Sequence, residues 1–193
     1  MENNPKNRLI TNVLTLALLS SIIINIALAR KVEHFRYVEK TLRAEGELQL
    51  GETVPPLQVK ELTGNAIGFP YGNGQLPLVL YVISPGCSWC EKNQPNAETI
   101  AKETTNKYRF VALSLDSKGL KEYVASHHIT FAVYSDLPQE TILKYKFGGT
   151  PQTIVISSEG KVLQNWRGAY TGDLKTQVEK FFNTTLPGID TNK

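Results

Sequence analysis

The sequence predicts an α/β fold, a central mixed sheet flanked by helices, carried behind one N-terminal transmembrane helix. Three observations predict it. An uncharged run of 21 residues, LITNVLTLALLSSIIINIALA, occupies Leu9–Ala29. From about residue 51 onward, strand-like apolar runs alternate with helix-like stretches, the pattern of an α/β sandwich. One of those runs, LVLYVIS at Leu78–Ser84, leads directly into SPGCSWCEKNQP, which holds both cysteines of the chain.

The totals agree with a globular domain plus an appendage. The chain has 193 residues, 41% of them hydrophobic and 20% charged. A net charge of +3 with mixed signs leaves no electrostatic footprint for nucleic acid. Two cysteines make no disulfide framework. A structural zinc site wants four Cys/His ligands, and His34, His127 and His128 lack the spacing to supply them.

The elements follow in order. Residues 1–8 form a short basic tail with Lys6 and Arg8. At about 1.5 Å per residue, the run 9–29 spans roughly 30 Å of hydrocarbon as a helix. A signal peptide cut after Ala27-Leu28-Ala29 competes with an uncleaved anchor; the run exceeds the usual signal core of about 7–15 residues, which favours the anchor. The flanks oppose export: Arg30, Lys31, Arg36, Lys40 and Arg43 outnumber the two basic residues before the run, whereas large domains translocate largely regardless of charge. In 30–50, Val32, Phe35, Val38 and Leu42 recur at helical steps, giving a helical stalk that Gly51 and Pro55-Pro56 end. The domain is therefore expected over 51–186, with 187–193 as a C-terminal tail.

Within it, LQVKEL reads as a short strand and Thr63-Gly64-Asn65 as a turn. G-N-G in GFPYGNGQLP lacks the strand-then-helix setting of a phosphate loop and reads as a surface turn. LVLYVIS and RFVALSLD are buried strands. A helix is expected from about Cys87 to Thr104, kinked by Pro95. LKEYVASHH and PQETILKYKF are helical, TFAVYSD and TPQTIVIS strands, and Ser158-Glu159-Gly160 turns into a hairpin with KVLQNWRGAY. TGDLKTQVEKFF closes the domain as a helix, with Asp173 as its expected N-cap and Leu174, Val178, Phe181 and Phe182 on one face.

A C-x-x-C at a strand-to-helix junction carries chemistry. Free amides and the helix dipole favour negative charge at a helix start, so Cys87 is the better thiolate. Cys90 lies one turn on, where it can attack a mixed disulfide formed at Cys87. That makes Cys87 the nucleophile and Cys90 the resolving cysteine.

The strand plus CSWC, Pro95, SLDS, FAVYSDLPQETILKYKF and GGTPQTIVISSEGKV together resemble the thioredoxin superfamily, in its membrane-anchored, extracytoplasmic TlpA/ResA-like branch. The resemblance covers Gly51 to about Phe182. It implies a thioredoxin-like fold and a thiol–disulfide oxidoreductase acting on cysteine-containing proteins at the outer, periplasmic face of a bacterial cytoplasmic membrane. It implies a membrane thiol as electron donor and no cofactor beyond the redox-active Cys87–Cys90 disulfide. It also implies a cis proline at Pro151, with Thr150 pairing to the substrate backbone.

The chain departs from the family in three places. Gly86 stands where a tryptophan is usual. Tyr81 stands six residues before Cys87, where thioredoxins bury a proton-accepting aspartate; Glu91 is a candidate acceptor, or simply an acid suited to the first helical turn. The dipeptide Ser88-Trp89 lacks the histidine of strongly oxidising members, so a potential on the order of −180 to −270 mV is expected. Trp89 offers bulk for substrate docking, or is an exposed aromatic without a role.

Two other functions fit parts of the sequence. A peroxiredoxin-like thiol peroxidase needs Ser or Thr three residues before its cysteine, which Ser84 supplies, but Leu80 replaces the expected proline. A copper-binding chaperone would use Cys87, Cys90 and His127 or His128, although related proteins space the cysteines more widely. As ordinary residues the histidines suit a helix end. The Asn183-Thr184-Thr185 glycosylation pattern reads as accidental, and Trp166 and Tyr170 as sheet packing.

Overall fold

A computed structural model describes residues 5–72 and 74–189. Asn73 of the G-N-G turn, the first four residues and the last four of the expected tail lie outside the described residues. The chain divides into two units, residues 1–45 and 46–193.

The first unit is α1 (Pro5–Glu45). Its stretch Leu14–His34 has a mean hydropathy of 1.6 and none of it is buried. Leu16, Leu18, Ile23 and Ile24 stand more than half exposed, an apolar surface that suits lipid and not water. Among the described residues, one helix is thus long and apolar enough to cross a membrane.

The stalk is shorter than the expected 30–50. α1 stops at Glu45, where Gly46, a poor helix former, follows. Leu48 is 3% exposed and packs in the core of the second unit. The helix stop taken from Gly51 belongs five residues earlier, and residues 46–50 are part of the globular unit.

That unit holds a seven-stranded mixed sheet in the order β2-β1-β5-β4-β3-β6-β7. β1 (Leu57–Glu61) and β2 (Ala66–Phe69) form an antiparallel hairpin. β2 was not expected; it has four residues, one of them Gly68, and its pairing comes from the register Leu57↔Phe69 and Val59↔Ile67. β3 (Leu78–Ile83) is central and every residue is buried, hence its continuous apolar run. It pairs parallel with β4 (Arg109–Ser114) and antiparallel with β6 (Gln152–Ile156). β5 (Ala132–Ser135) joins β4 in parallel, and β7 (Val162–Arg167) closes the other edge against β6.

Both faces of the sheet are covered. Leu78 and Leu80 face one core with Leu57, Tyr145 and Ile154. The alternate residues face the other side, where Val79 meets Val155, Val178 and Phe182, and Tyr81 and Ile83 meet Cys90 and Ala97. α2 (Ser88–Glu103) continues through Pro95 and supplies Cys90, Ala97 and Ile100 to that side. α3 (Leu120–Ser126) and α4 (Gln139–Lys144) connect the later strands.

α5 (Gly172–Phe182) buries Val178 and Phe182, as its spacing predicts. Its N-cap is Thr171, in extended conformation, and not Asp173. Asp173 sits inside the first turn, where the dipole favours an acid. Nor do the residues after 186 all trail free: the Gly188 amide donates to Asn96 Oδ1 at 2.8 Å.

Candidate active site

The sheet delivers the cysteines at the C-terminal end of β3. Ser84-Pro85-Gly86-Cys87 make a tight turn, closed by Cys87 N–H donating to Ser84 O at 3.1 Å. Proline at the second position and Gly86 at φ +78° at the third define a type II turn. That conformation explains glycine where a tryptophan is usual: a side chain here strains the backbone.

Cys87 is the N-cap of α2. Its Sγ accepts from Cys90 N–H at 3.1 Å, and its carbonyl accepts from Cys90 N–H at 2.9 Å and Glu91 N–H at 3.2 Å. The sulfur thus lies in the positive field of the helix start, where a thiolate is favoured over a thiol. Cys87 and Cys90 form a disulfide with their Cα atoms 5.2 Å apart. The two sulfurs are unequal in access: Cys87 is half-buried and Cys90 is 1% exposed.

The far end of the chain meets this loop. The Thr150–Pro151 bond is cis. Thr150 and Pro151 line a groove of about 340 Å³ together with Trp89, Arg167, Gly168, Ala169, Thr171 and Leu174. All three residues expected to hold substrate therefore share one groove, and one of them lies between the two cysteines. Trp89 is 50% exposed, with the Lys92 ammonium 5.6 Å from its ring centre. Sequence reasoning missed Arg167 to Leu174, which carry no motif and reach the groove through the β7–α5 connection. The Arg167 guanidinium is held by Glu47 Oε1 at 3.1 Å and by Lys146 O at 3.2 Å, while its Nε is buried without a partner among the described residues.

Among the described residues, the Glu91 carboxylate makes no hydrogen bond with Cys90. Glu91 is 44% exposed in its side chain and lies 3.6 Å from His127 Nε2, across the gap to the end of α3. His127 Nδ1 lies 2.9 Å from Tyr123 O and 3.0 Å from Ser126 Oγ. The histidine is the C-cap of α3 and its carbonyl accepts from Gln94. Among the described residues no three His, Cys, Asp or Glu side chains gather to hold a metal, so the copper reading has no cage. The Ser84 hydroxyl lies 3.5 Å from Pro85 O, at the edge of hydrogen-bonding range.

Behind the cysteines lies a polar network that the motifs do not announce. Asn93, fully buried, donates to Tyr81 OH at 3.2 Å and accepts from Tyr170 N–H at 3.0 Å and Asn96 Nδ2 at 3.0 Å. The Tyr170 hydroxyl pairs with Thr153 on β6. Tyr170 is therefore more than the packing residue expected, since it ties the groove wall to α2. Burial, with the neighbouring Tyr170 phenol, holds the Tyr81 phenol far above its ordinary range. One signal was present in sequence: Asn93 falls three residues after Cys90 and four before Ala97, a polar side chain on the apolar stripe of α2.

Fold and site together define a redox-type cysteine pair on a thioredoxin scaffold, and the comparisons agree. Residues 71–182 match the thioredoxin-like domain family, more than half of the sequence; the chain belongs to that family. The thiol-disulfide oxidoreductase ResA of Bacillus cereus (strain ATCC 10987 / NRS 248) is 25% identical over 185 residues, 94% of this chain and 99% of that protein. Among solved structures, the thioredoxin domain of a thiol-disulfide oxidoreductase from Bacteroides vulgatus aligns with a TM-score of 0.58 at 22% identity, over 71% of this chain and all of that one. A thiol:disulfide interchange protein from a Bacteroides species gives 0.56 at 23% identity, over 70% and 91%.

Proposed function

We propose that this chain is a membrane-anchored thiol–disulfide oxidoreductase that acts on protein cysteines outside the cytoplasm. The observation that carries it is the Cys87–Cys90 disulfide at the start of α2, with Trp89 of the same helical turn lining one groove together with Thr150 and Pro151. In the reducing direction, the Cys87 thiolate attacks a substrate disulfide, forms a mixed disulfide and releases the first substrate thiolate. Cys90 then attacks Cys87 Sγ, closes the Cys87–Cys90 bond and releases the second. Thr150 pairs with the substrate backbone, and Trp89 and Pro151 flank it. No cofactor is needed, since the two electrons travel in the thiols. A membrane thiol returns them. The anchor is α1, and the domain lies on the periplasmic side; Arg30 and Lys31 after the apolar run do not bar this, since a large domain translocates largely regardless of flanking charge.

The test is a Cys90→Ser chain expressed with α1 intact. Mixed disulfides on Cys87 with exported proteins, and labelling of Cys87 in intact spheroplasts by a membrane-impermeant thiol reagent, are the expected results. Reactivity confined to Cys90 in the reduced wild type, or labelling only after lysis, overturns the assignment of roles or of side.

A further inference from the structure

The structure excludes one direction for the proton of the Tyr81 hydroxyl. Tyr170 N–H can only donate, so the atom of Asn93 facing it is the oxygen. The Asn93 NH2 group then faces Tyr81 OH at 3.2 Å. An amide NH2 accepts nothing, so Tyr81 accepts there and its own proton points elsewhere. Asn93 is the hydrogen-bond partner of that hydroxyl among the described residues.

The surroundings narrow where the proton goes. Tyr81 is 2% exposed and shares one buried cluster with Cys90. Cys90 and Asn93 are three apart on α2, hence neighbours on one helix face. The Asn93 bond therefore brings the Tyr81 hydroxyl to the turn of α2 that carries Cys90. The other titratable groups near Tyr81 and Cys90 are Cys87 on α2, Tyr123 on α3 and Tyr170 on the β7–α5 connection, while Glu91 on α2 pairs with His127.

We propose that the Tyr81 hydroxyl donates a hydrogen bond to the Cys90 sulfur whenever the disulfide is open, favouring the Cys90 thiolate. This rests on the roles given to Cys87 and Cys90 above. A sulfur in a disulfide is a weak acceptor, whereas a thiolate is a strong one, so the bond forms in the reduced state and is released on closure. In the resolving step the Cys90 thiolate forms the bond to Cys87 Sγ, the Cys87–substrate bond breaks, and the departing substrate thiolate takes up the proton that Cys90 shed. Tyr81 keeps its proton throughout, because burial disfavours the phenolate that it would have to be in order to accept one.

The experiment is rapid quenching of the reduced full chain, in detergent, mixed with a small aromatic disulfide across a range of pH. Formation and decay of the Cys87 mixed disulfide are followed separately. In Tyr81→Phe the decay slows about tenfold near neutral pH and its pH midpoint rises by about one unit, the scale of one charge-assisted hydrogen bond. Formation keeps its wild-type rate, as does decay in Tyr123→Phe. If Tyr81→Phe does not fold, Asn93→Asp serves: its carboxylate draws the Tyr81 proton to itself, and decay slows with the phenol in place. An unshifted decay profile in the variant that folds, or the same shift in Tyr123→Phe, overturns the inference while leaving the oxidoreductase reading intact. A wild-type chain that forms no mixed disulfide on Cys87 overturns the reading itself.

Discussion

Replacing Gly86 by alanine isolates the strain of the turn that presents Cys87. A Cβ added at Gly86 meets no atom within 4 Å, so crowding contributes nothing. What remains is the backbone, held at φ +78°. An L-residue in the left-handed region costs roughly 1–2 kcal/mol, and the smaller unfolded-state entropy of alanine offsets about 0.4–1 kcal/mol of it. The net destabilisation is about 1 kcal/mol, or about 2–4 °C in Tm for a domain of this size. The assay is urea unfolding of the oxidised full chain in mild detergent, read at unchanged m. Asparagine, which tolerates the left-handed region, should lose less than alanine. Equal stability of Gly86→Ala and wild type, or a larger loss for asparagine than for alanine, would refute the account of why this position is glycine.

Further outcomes follow from the same structure. Trp89→Ala, at a half-exposed position, should raise KM for protein disulfides several-fold while leaving turnover of a small disulfide and Tm nearly unchanged. Thr153→Val leaves the fully buried Tyr170 hydroxyl without its partner and should cost about 1–3 kcal/mol in urea unfolding. Burial raises the phenols of Tyr81, Tyr145 and Tyr170 above their ordinary 10. Their contribution to stability is therefore complete below pH 10. Above it the unfolded chain sheds these protons and the folded one does not, so stability falls by up to about 1.4 kcal/mol per pH unit per phenol. Urea midpoints at pH 9, 10 and 11 check this; a flat series contradicts it. Equilibration with glutathione buffers should give a potential on the order of −180 to −270 mV, and a value near −120 mV would contradict the reading of Ser88-Trp89.

The parts of the fold written in local pattern were legible. The unbroken apolar run of β3 announced a central strand, and the spacing of Val178 and Phe182 announced the buried face of α5. The cysteines stood out because their chemistry depends on a junction visible in sequence. What escaped was set by partners distant in the chain. β2 owes its existence to β1, and the sequence AIGF alone carries too little pattern to mark it. The groove wall from Arg167 to Leu174 becomes a site only when the sheet sets it opposite Trp89 and Pro151. Thr171 caps α5 by backbone conformation, with no side-chain bond, so the more obvious Asp173 drew the assignment. At the stalk the stop was read from Gly51, and Gly46, an isolated glycine within a run of helix formers, carried no comparable signal until the burial of Leu48 showed the helix already ended.

The unequal burial of the two sulfurs has a kinetic consequence. With Cys90 at 1% exposure, any protein-sized reagent meets the pair at Cys87, whether it brings electrons or takes them. Donor and acceptor must then occupy the same doorway in alternation, each leaving before the other docks. Initial-rate plots at several fixed donor levels should run parallel, the mark of double displacement, and each protein at high concentration should inhibit by crowding out its counterpart.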